Sequence, residues 1–171
     1  MPDKKKELVA SLIREGVLKT KEVIEAFNKV PREKFILAKY HNYAYVDEPL
    51  PILRGQTISQ PFTVAAMTEA LRPKKGQKIL EIGAGSGYQA AILAEIVGKK
   101  GRIITIERVR ELAAFAKQNL RKCNYTNVSI IKSDGTMGWK KSAPYNRIIV
   151  TASAPEIPTP LIEQLKIGGV M

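Results

Sequence analysis

Apolar residues between positions 78 and 151 fall into four short runs, at 79–82, 102–106, 128–131 and 147–151. Two of the segments that separate these runs, 90–97 and 111–121, carry apolar residues at helical spacing. Short apolar runs that alternate with helical segments are typical of βαβ units, which build parallel sheets. We therefore predict a doubly wound, mainly parallel α/β fold for this part of the chain.

The first 60 residues have a different pattern, which predicts helices rather than strands. Apolar stripes at helical spacing lie on both sides of Gly16, and a stretch rich in Tyr, Asp and Pro follows at 43–51. Proline disfavours the helical conformation in the residue before it, so this later stretch is expected to be extended and irregular. We expect the helical preface to pack beside the sheet as a lid.

The last residues predict a helix at 161–165 and the beginning of a fifth strand at Gly168. The residues from Gly168 to Met171 are too few for a strand of ordinary length. A doubly wound sheet of this kind normally continues beyond its fifth strand. We therefore expect the C-terminal strands to be truncated in this sequence.

The first apolar run ends in the pattern Glu81-x-Gly83-x-Gly85-x-Gly87, and a helical segment follows. Glycines at such a turn permit positive φ angles and a close approach of backbone to a ligand. The helix that follows directs free N–H groups and the positive end of its dipole at the turn. An anionic or carboxylate-bearing cofactor is the expected ligand.

The spacing of the glycines separates two cofactor classes. A dinucleotide fingerprint, G-x-G-x-x-G/A, would place a small residue where Tyr88 stands. An acidic residue two positions before the first glycine, as Glu81 is here, is instead typical of S-adenosylmethionine (SAM) methyltransferases. The second run ends at Glu107, whose carboxylate can accept both ribose hydroxyls in either class. The alternative is that Glu107 is a solvated charge at a strand end.

Two further groups of polar residues follow apolar segments. The third run leads to Asp134 and Gly135, a turn at which a carboxylate can accept the adenine amino group. Gln56, Thr57 and Ser59 precede Pro61, which suits the first turn of a helix. Ser59 can therefore be the N-cap of that helix. A cap at Ser59 would not explain the side chains of Gln56 and Thr57. A substrate-binding role for this loop therefore remains an alternative interpretation.

Composition restricts the range of partners. Lys and Arg total 28 against 16 Asp and Glu, a net charge of +12. An excess of positive charge of this size is compatible with binding to nucleic acid, to a membrane surface or to an acidic substrate. The basic runs are short and no aromatic residues interleave with them, which favours a generally solvated basic surface. Cys123 and His41 stand alone without metal-ligand spacing. We expect a cytoplasmic monomer with no metal, no membrane contact and no specific nucleic-acid partner.

Several segments together resemble the protein-L-isoaspartate O-methyltransferase family, from the N-terminal helices to Met171. They read GQTIS at 55–59, ILEIGAGSGYQ at 79–89, TIER at 105–108, IIVTA at 148–152 and PEIP at 155–158. The first is specific to that family, whereas the glycine motif alone indicates only a SAM methyltransferase. The resemblance implies a Rossmann-like SAM-methyltransferase sheet in one domain, 1–171. Residues 1–60 would form the lid and substrate loop, and 61–171 the C-terminally incomplete core.

The resemblance also implies an activity and a site. The family methylates the α-carboxylate of L-isoaspartyl residues in damaged proteins, and the ester then cyclises to a succinimide that can reopen as aspartate. SAM, and its product S-adenosylhomocysteine (SAH), would bind Gln56, Thr57, Glu81, Gly83, Ala84, Gly85, Ser86, Glu107, Arg108, Asp134 and Gly135. The substrate would bind Thr57, Ile58, Ser59 and Thr151, with Ser59 as the catalytic residue.

The sequence departs from the family pattern in a few places. Leu53 and Arg54 stand where a glycine and a Tyr or His are usual, Asn146 replaces a common Asp, and Ile167 replaces a common Pro. These changes leave the chemistry intact and bear on the width of the substrate mouth.

Two other function classes stay open. The first is a nucleic-acid methyltransferase, which the net charge suggests. The end of the fourth run reads TASAP, not the Asn/Asp-Pro-Pro-aromatic element of amino-methylating members. Cys123 also lacks the preceding proline of the base-C5 class. The second class is a module that binds SAM or a nucleotide without catalysis.

Overall fold

The computed structural model describes residues 2–153 and 156–171; Pro155, the first residue of the PEIP motif, lies outside them. Its helices are α1 (Pro2–Arg14), α2 (Lys21–Lys29), α3 (Pro61–Leu71), α4 (Tyr88–Val97), α5 (Arg110–Lys122) and α6 (Thr159–Glu163). Its strands are β1 (Leu50–Pro51), β2 (Thr57–Ile58), β3 (Lys78–Ile82), β4 (Arg102–Glu107), β5 (Val128–Lys132), β6 (Tyr145–Val150) and β7 (Leu165–Val170).

Strands β3 to β7 form one parallel sheet in the order β5-β4-β3-β6-β7. The chain moves outward from β3 to β5 and then crosses back to β6 on the other side of β3. This reversal makes a topological switch point at the carboxyl ends of β3 and β6, where ligands bind in open α/β sheets. The predicted doubly wound, mainly parallel fold is confirmed.

The last strand differs from the prediction. It begins at Leu165 rather than Gly168, because its backbone pairs with Tyr145 and Arg147 of β6. The pairing is irregular and Gly168 has a φ of +75°. An edge strand with a break in register lacks the periodic pattern that sequence analysis relies on.

Both faces of the sheet are apolar, and a different set of helices packs on each face. Ile79, Ile103 and Ile149 pack with residues of α3 and α4 on one face. Leu80, Ile104 and Ile148 pack with α6 on the other. This alternation follows from the two-residue repeat of side chains along a strand. The parallel sheet is thereby buried on both sides.

The N-terminal helices pack on α4 through contacts that are distant in sequence. The guanidinium of Arg32, which is fully buried, lies 5.0 Å from the ring centroid of Tyr88 at the start of α4. Glu69 of α3 accepts hydrogen bonds from the backbone N–H groups of Lys19 and Thr20, both at 2.8 Å. Glu69 thus serves the beginning of α2, where the Thr20 side chain makes no capping bond.

Candidate active site

A cavity of about 520 Å³ lies at the carboxyl edge of the sheet, around the switch point. Five segments meet there: the loop that contains β2, the glycine turn after β3, and the ends of β4, β5 and β6. Most of the residues that sequence analysis assigned to the site line it, namely Gln56, Thr57, Ile58, Ser59, Gly83, Ala84, Gly85, Ser86, Glu107, Arg108, Asp134, Gly135 and Thr151.

The glycine turn is held against β4 and β6. Gly83 has a φ of +101°, and a Cβ there would lie 3.0 Å from the Thr151 hydroxyl oxygen. A larger residue would therefore strain the backbone and push the end of β6 away. The neighbouring Ala84 and Ser86 are buried, and the Ser86 hydroxyl accepts a hydrogen bond from the Tyr88 N–H at 3.3 Å. This bond joins the turn to the first residue of α4.

Glu107 is buried at the end of β4, with 7% of its surface exposed. One carboxylate oxygen accepts the Gly85 N–H at 3.0 Å and the other accepts the Val109 N–H at 2.9 Å. These bonds fix the carboxylate between the glycine turn and the segment that leads into α5. Each oxygen keeps a free lone pair, so the group can still accept hydrogen bonds from a ligand. The interpretation of Glu107 as a solvated charge is wrong.

Glu81 lies beneath the glycine turn and outside the cavity wall. It is fully buried, beside Thr105 in the register of β3 and β4, and its carboxyl makes no hydrogen bond within the described part of the chain. Burial raises the pKa of Glu81 to about 8, and the nearby carboxylate of Glu107 adds to the rise. Its assignment to the cofactor stays a prediction.

Asp134 and Gly135 form the turn after β5 at the rim of the cavity. One oxygen of Asp134 accepts from the N–H and the hydroxyl of Thr136, at 2.9 and 3.0 Å. These bonds favour the charged form and lower the pKa of the Asp134 carboxyl. Gly135 is packed directly on Ile82, so that any side chain there would collide with β3.

In the substrate loop, the side chain of Ile58 is buried whereas those of its two neighbours are exposed. Ile58 is 3% exposed and packs in the core, whereas its neighbours Thr57 and Ser59 are exposed on the cavity side. This separation follows from the alternation of side chains along an extended strand. Neither hydroxyl makes a hydrogen bond within residues 2–153 and 156–171, so both are available as donors to a ligand.

The alternative role of Ser59 as a helix N-cap is wrong. Gln60 occupies the cap position of α3, and its side chain makes no capping bond. Asp47 performs that task, because its carboxylate accepts the Phe62 N–H at 2.8 Å and the Gln60 amide at 3.1 Å. Ser59 lies outside the helix, and its hydroxyl makes no hydrogen bond to the part of the chain that the structure describes.

Thr151 stands at the end of β6 with its hydroxyl directed at the glycine turn. It donates towards the carbonyl oxygens of Ile82 and Gly83, at 2.9 and 2.8 Å. A hydroxyl has one hydrogen, which these contacts use. In this arrangement Thr151 can accept a hydrogen bond from a ligand and cannot donate one.

Sequence analysis missed the helical and apolar parts of the wall. Val64 and Met67 of α3, and Val109 and Leu112 at the beginning of α5, line the cavity. Each pair has the i, i+3 spacing that places two residues on one helix face. That spacing is a signal for burial, and only the fold shows that the buried face borders a cavity. The other lining residues that sequence analysis did not assign are Ile82, Tyr88, Gln89, Ile106, Thr136, Val150, Ala152, Ser153, Pro158 and Leu161.

Comparison with a family model and with curated proteins gives the same family. The family model described as protein-L-isoaspartate (D-aspartate) O-methyltransferase matches residues 3–171. The chain belongs to this family. A protein-L-isoaspartate O-methyltransferase of Ignicoccus hospitalis is 51% identical over 171 residues, which cover 100% of this chain and 81% of the relative. One of Methanococcus aeolicus is 55% identical, with 97% and 77% covered.

Solved structures of the isoaspartate methyltransferase family agree with this result. One has a TM-score of 0.89 and 34% identity, covering 97% of this chain and 54% of that chain. A second, from Plasmodium falciparum and in complex with SAH, has a TM-score of 0.85 and 28% identity, covering 96% and 81%.

The cavity fits the cofactor of the methyltransferase family. The buried carboxylate of Glu107 lines the cavity and can accept hydrogen bonds from ribose hydroxyls. The glycine turn before α4 can bind the carboxylate of the cofactor. Apolar residues of α5 and β4 supply a wall for a planar ring. Among the described residues there is no group of His, Cys, Asp and Glu side chains that suits a metal ion. No helix in the same part of the chain is long and apolar enough to cross a bilayer.

Proposed function

We propose that the chain transfers the methyl group of SAM to the α-carboxylate of L-isoaspartyl residues in damaged proteins and peptides. The observation that carries this proposal is the pair of exposed hydroxyls of Thr57 and Ser59, which line the same cavity as the glycine turn. Two uncommitted donors on one strand face suit a carboxylate, which only accepts hydrogen bonds when ionised. The family's activity supports the same conclusion.

The reaction requires alignment of the substrate carboxylate with the methyl group of SAM, not a proton transfer. A carboxylate is ionised at neutral pH and is already a nucleophile, so no general base is required. SAM supplies an electrophilic methyl group on a sulfonium when it is bound. Ser59 and Thr57 hold the attacking carboxylate, and Ile58 anchors their strand in the core. Fixing the acceptor in line with the methyl group lowers the entropic cost of attack.

The remaining assigned residues hold the cofactor. Glu107 accepts the ribose hydroxyls, and the free oxygen of Asp134 accepts the adenine amino group. The glycine turn with Ala84 and Ser86 receives the methionine end, with Glu81 below it. Gln56, Thr57 and Arg108 close the mouth. Thr151 supports the turn through its two contacts and borders the substrate.

The molecular setting follows from the same proposal. Residues 1–60 act as lid and substrate loop for a core that begins at 61. The chain works as a monomer in the cytoplasm, and its partners are isoaspartyl-containing proteins. Neither a membrane nor recognition of a nucleic-acid sequence is part of the methylation.

A methyl-transfer assay tests this function against its competitors. The chain is incubated with labelled SAM and, in parallel, an isoaspartyl peptide, the same peptide with normal aspartate, and RNA. We expect label only in the isoaspartyl peptide. Label in RNA would support the nucleic-acid methyltransferase instead. SAH binding without label in any acceptor would indicate a module that binds the cofactor without catalysis.

A further inference from the structure

The amino edge of the sheet collects basic residues that are far apart in sequence. Strands β3 to β6 all begin at this edge, and α3, α4 and α5, which run antiparallel to them, end there. The charges that look dispersed along the chain therefore meet on one surface. We call this surface the amino-edge patch: the exposed basic residues of 72–78, 99–102 and 121–122.

Direct contacts join the three segments. The Gly76 N–H donates to the Val97 carbonyl at 2.8 Å, which ties the 72–78 segment to the end of α4. The Arg102 N–H donates to the Gln77 carbonyl at 3.0 Å. Asn127, which follows α5, donates to the Gly98 carbonyl at 3.1 Å. The patch is thus one continuous surface on a rigid framework.

The segments of the patch contain no acidic residue, and Glu95, the one acidic residue of α4, pairs with Lys29 at 3.7 Å. The stretches 72–80, 97–106 and 120–131 contain no Asp or Glu. Within the described residues, the ion pairs of the chain involve Lys21, Lys29 and Arg54, all of them elsewhere. Unpaired like charges repel one another and oppose the compact state. An arrangement of this kind favours an anionic partner.

Helix dipoles explain only part of the patch. Arg72 caps α3, Lys99 and Lys100 follow α4, and Arg121 and Lys122 end α5. Cations at helix C-termini are stabilising. The lysines of the loop between α3 and β3 lie beyond the cap of α3, and Arg102 belongs to the start of β4 rather than to a helix terminus.

We propose that the amino-edge patch binds the phosphate backbone of double-stranded nucleic acid without reading its sequence. The three strand spacings from β5 to β6 span about 15 Å. That width allows contacts to phosphates on both sides of a groove, since the grooves of B-DNA are about 6 and 12 Å wide. Neutralising phosphates with Lys and Arg releases counterions, which supplies the affinity.

The side chains of the patch favour a duplex over the other polyanions. Tyr125, the one aromatic residue in its three acid-free stretches, is half-buried and donates to Glu95 at 3.1 Å. The patch therefore lacks the exposed rings on which single-stranded bases stack. None of the exposed large apolar side chains lies in it, so it also lacks the residues that insert into a lipid interface.

The position of the patch keeps the two sites independent. The cavity opens at the carboxyl edge of the same strands, one strand length away. A duplex bound at the amino edge leaves that cavity accessible. The chain can thus be held beside proteins that coat nucleic acid while it acts on them, a consequence that rests on the proposed methylation.

The test is fluorescence anisotropy of a labelled 25-bp random-sequence duplex, about two and a half helical turns long, across a salt series. The variant Lys74→Glu/Lys75→Glu/Lys99→Glu/Lys100→Glu reverses four charges of the patch. We expect its affinity at low salt to fall at least tenfold. The slope of log affinity against log salt should become shallower by about 0.9 for each lost phosphate contact. SAH binding should not change, which also verifies folding.

The matched control reverses four exposed lysines near the N-terminus, as Lys4→Glu/Lys6→Glu/Lys19→Glu/Lys21→Glu. It has the same net charge as the patch variant and should keep most of the affinity. Equal losses in both variants would overturn the proposal, because total charge would then explain binding. Stronger binding to single strands would overturn the preference for a duplex. Binding to vesicles with anionic lipid, lost in the patch variant and stronger than duplex binding, would replace nucleic acid with a membrane.

Discussion

The two edges of the central sheet use charge in opposite ways. At the carboxyl edge, Glu107 is buried and both its oxygens are fixed by backbone N–H groups. At the amino edge, lysines such as Lys99 and Lys100 are exposed and make no ion pair within the described residues. A buried, oriented group recognises a ligand by geometry and is little affected by salt, whereas exposed cations act at long range and are screened. Sites of both kinds can therefore share one sheet.

The largest expected effect is at Ser59. We expect Ser59→Ala to lower kcat/KM for an isoaspartyl peptide about 10- to 150-fold, the range for a hydrogen bond to a charged group. Ser59→Asp should lower it further, roughly 10³-fold, since juxtaposed like charges cost several kcal/mol. Methyl transfer to the peptide is the measurement, with SAH affinity expected to stay nearly constant.

Ser59→Asn is the matched control, because it has the size of Asp without its charge. It should be more active than Ser59→Asp at the same folded fraction and at any salt concentration. If Asp and Asn were equally active, the carboxylate of the substrate would not lie beside this position. The result distinguishes recognition of the substrate carboxylate at this position from attraction by the overall charge of the protein.

Glu81 provides the next test, through the dependence of stability on pH. Its pKa is about 8 in the folded chain and 4.5 in the unfolded chain. The folded state therefore binds more protons between these values, so wild-type stability falls as pH rises from about 4.5 to 8. Glu81→Gln removes this loss. We expect the variant to exceed wild type by a few kcal/mol at pH 9, and by little at pH 4.5.

Thermal or urea unfolding at several pH values measures this difference. Glu163→Gln, at the exposed end of α6, is the control and should show no such trend. A constant difference across pH would mean that Glu81 does not change its protonation on folding.

Local patterns predicted the sheet and about half of the cavity wall, because strand ends and the glycine turn are contiguous in sequence. Asp47, 15 residues before Phe62, caps α3 in place of Ser59. Glu69 serves α2 from 49 and 50 residues away. No local pattern reveals such partners, since only the fold brings them together. The same holds for the amino-edge patch, whose members are paired or single cations in sequence.

A third prediction compares Glu107 at the carboxyl edge with a lysine at the amino edge. We expect Glu107→Ala to weaken SAH binding by roughly 1.5–3 kcal/mol, about 10- to 150-fold, because the ribose loses a charged acceptor. Lys100→Ala at the other edge is the control and should leave the affinity unchanged. Calorimetric titration at low and high salt measures both. An unchanged dissociation constant in Glu107→Ala would remove this residue from the cofactor site.

The smallest expected effect comes from an exposed ion pair at the carboxyl edge, which tests where the contrast between the edges breaks down. Arg54, which precedes the substrate loop, pairs with Glu111 of α5 at 3.3 Å. The pair connects two segments that flank the mouth of the cavity. Exposed pairs contribute about 0.2–1 kcal/mol and are screened by salt.

We expect Glu111→Gln to accelerate SAH release roughly 1.5- to 5-fold in low salt and to have no effect in 1 M salt. Stopped-flow displacement measures the rate, with Glu163→Gln as control. An acceleration that persisted in high salt would show that Glu111 acts through packing rather than charge.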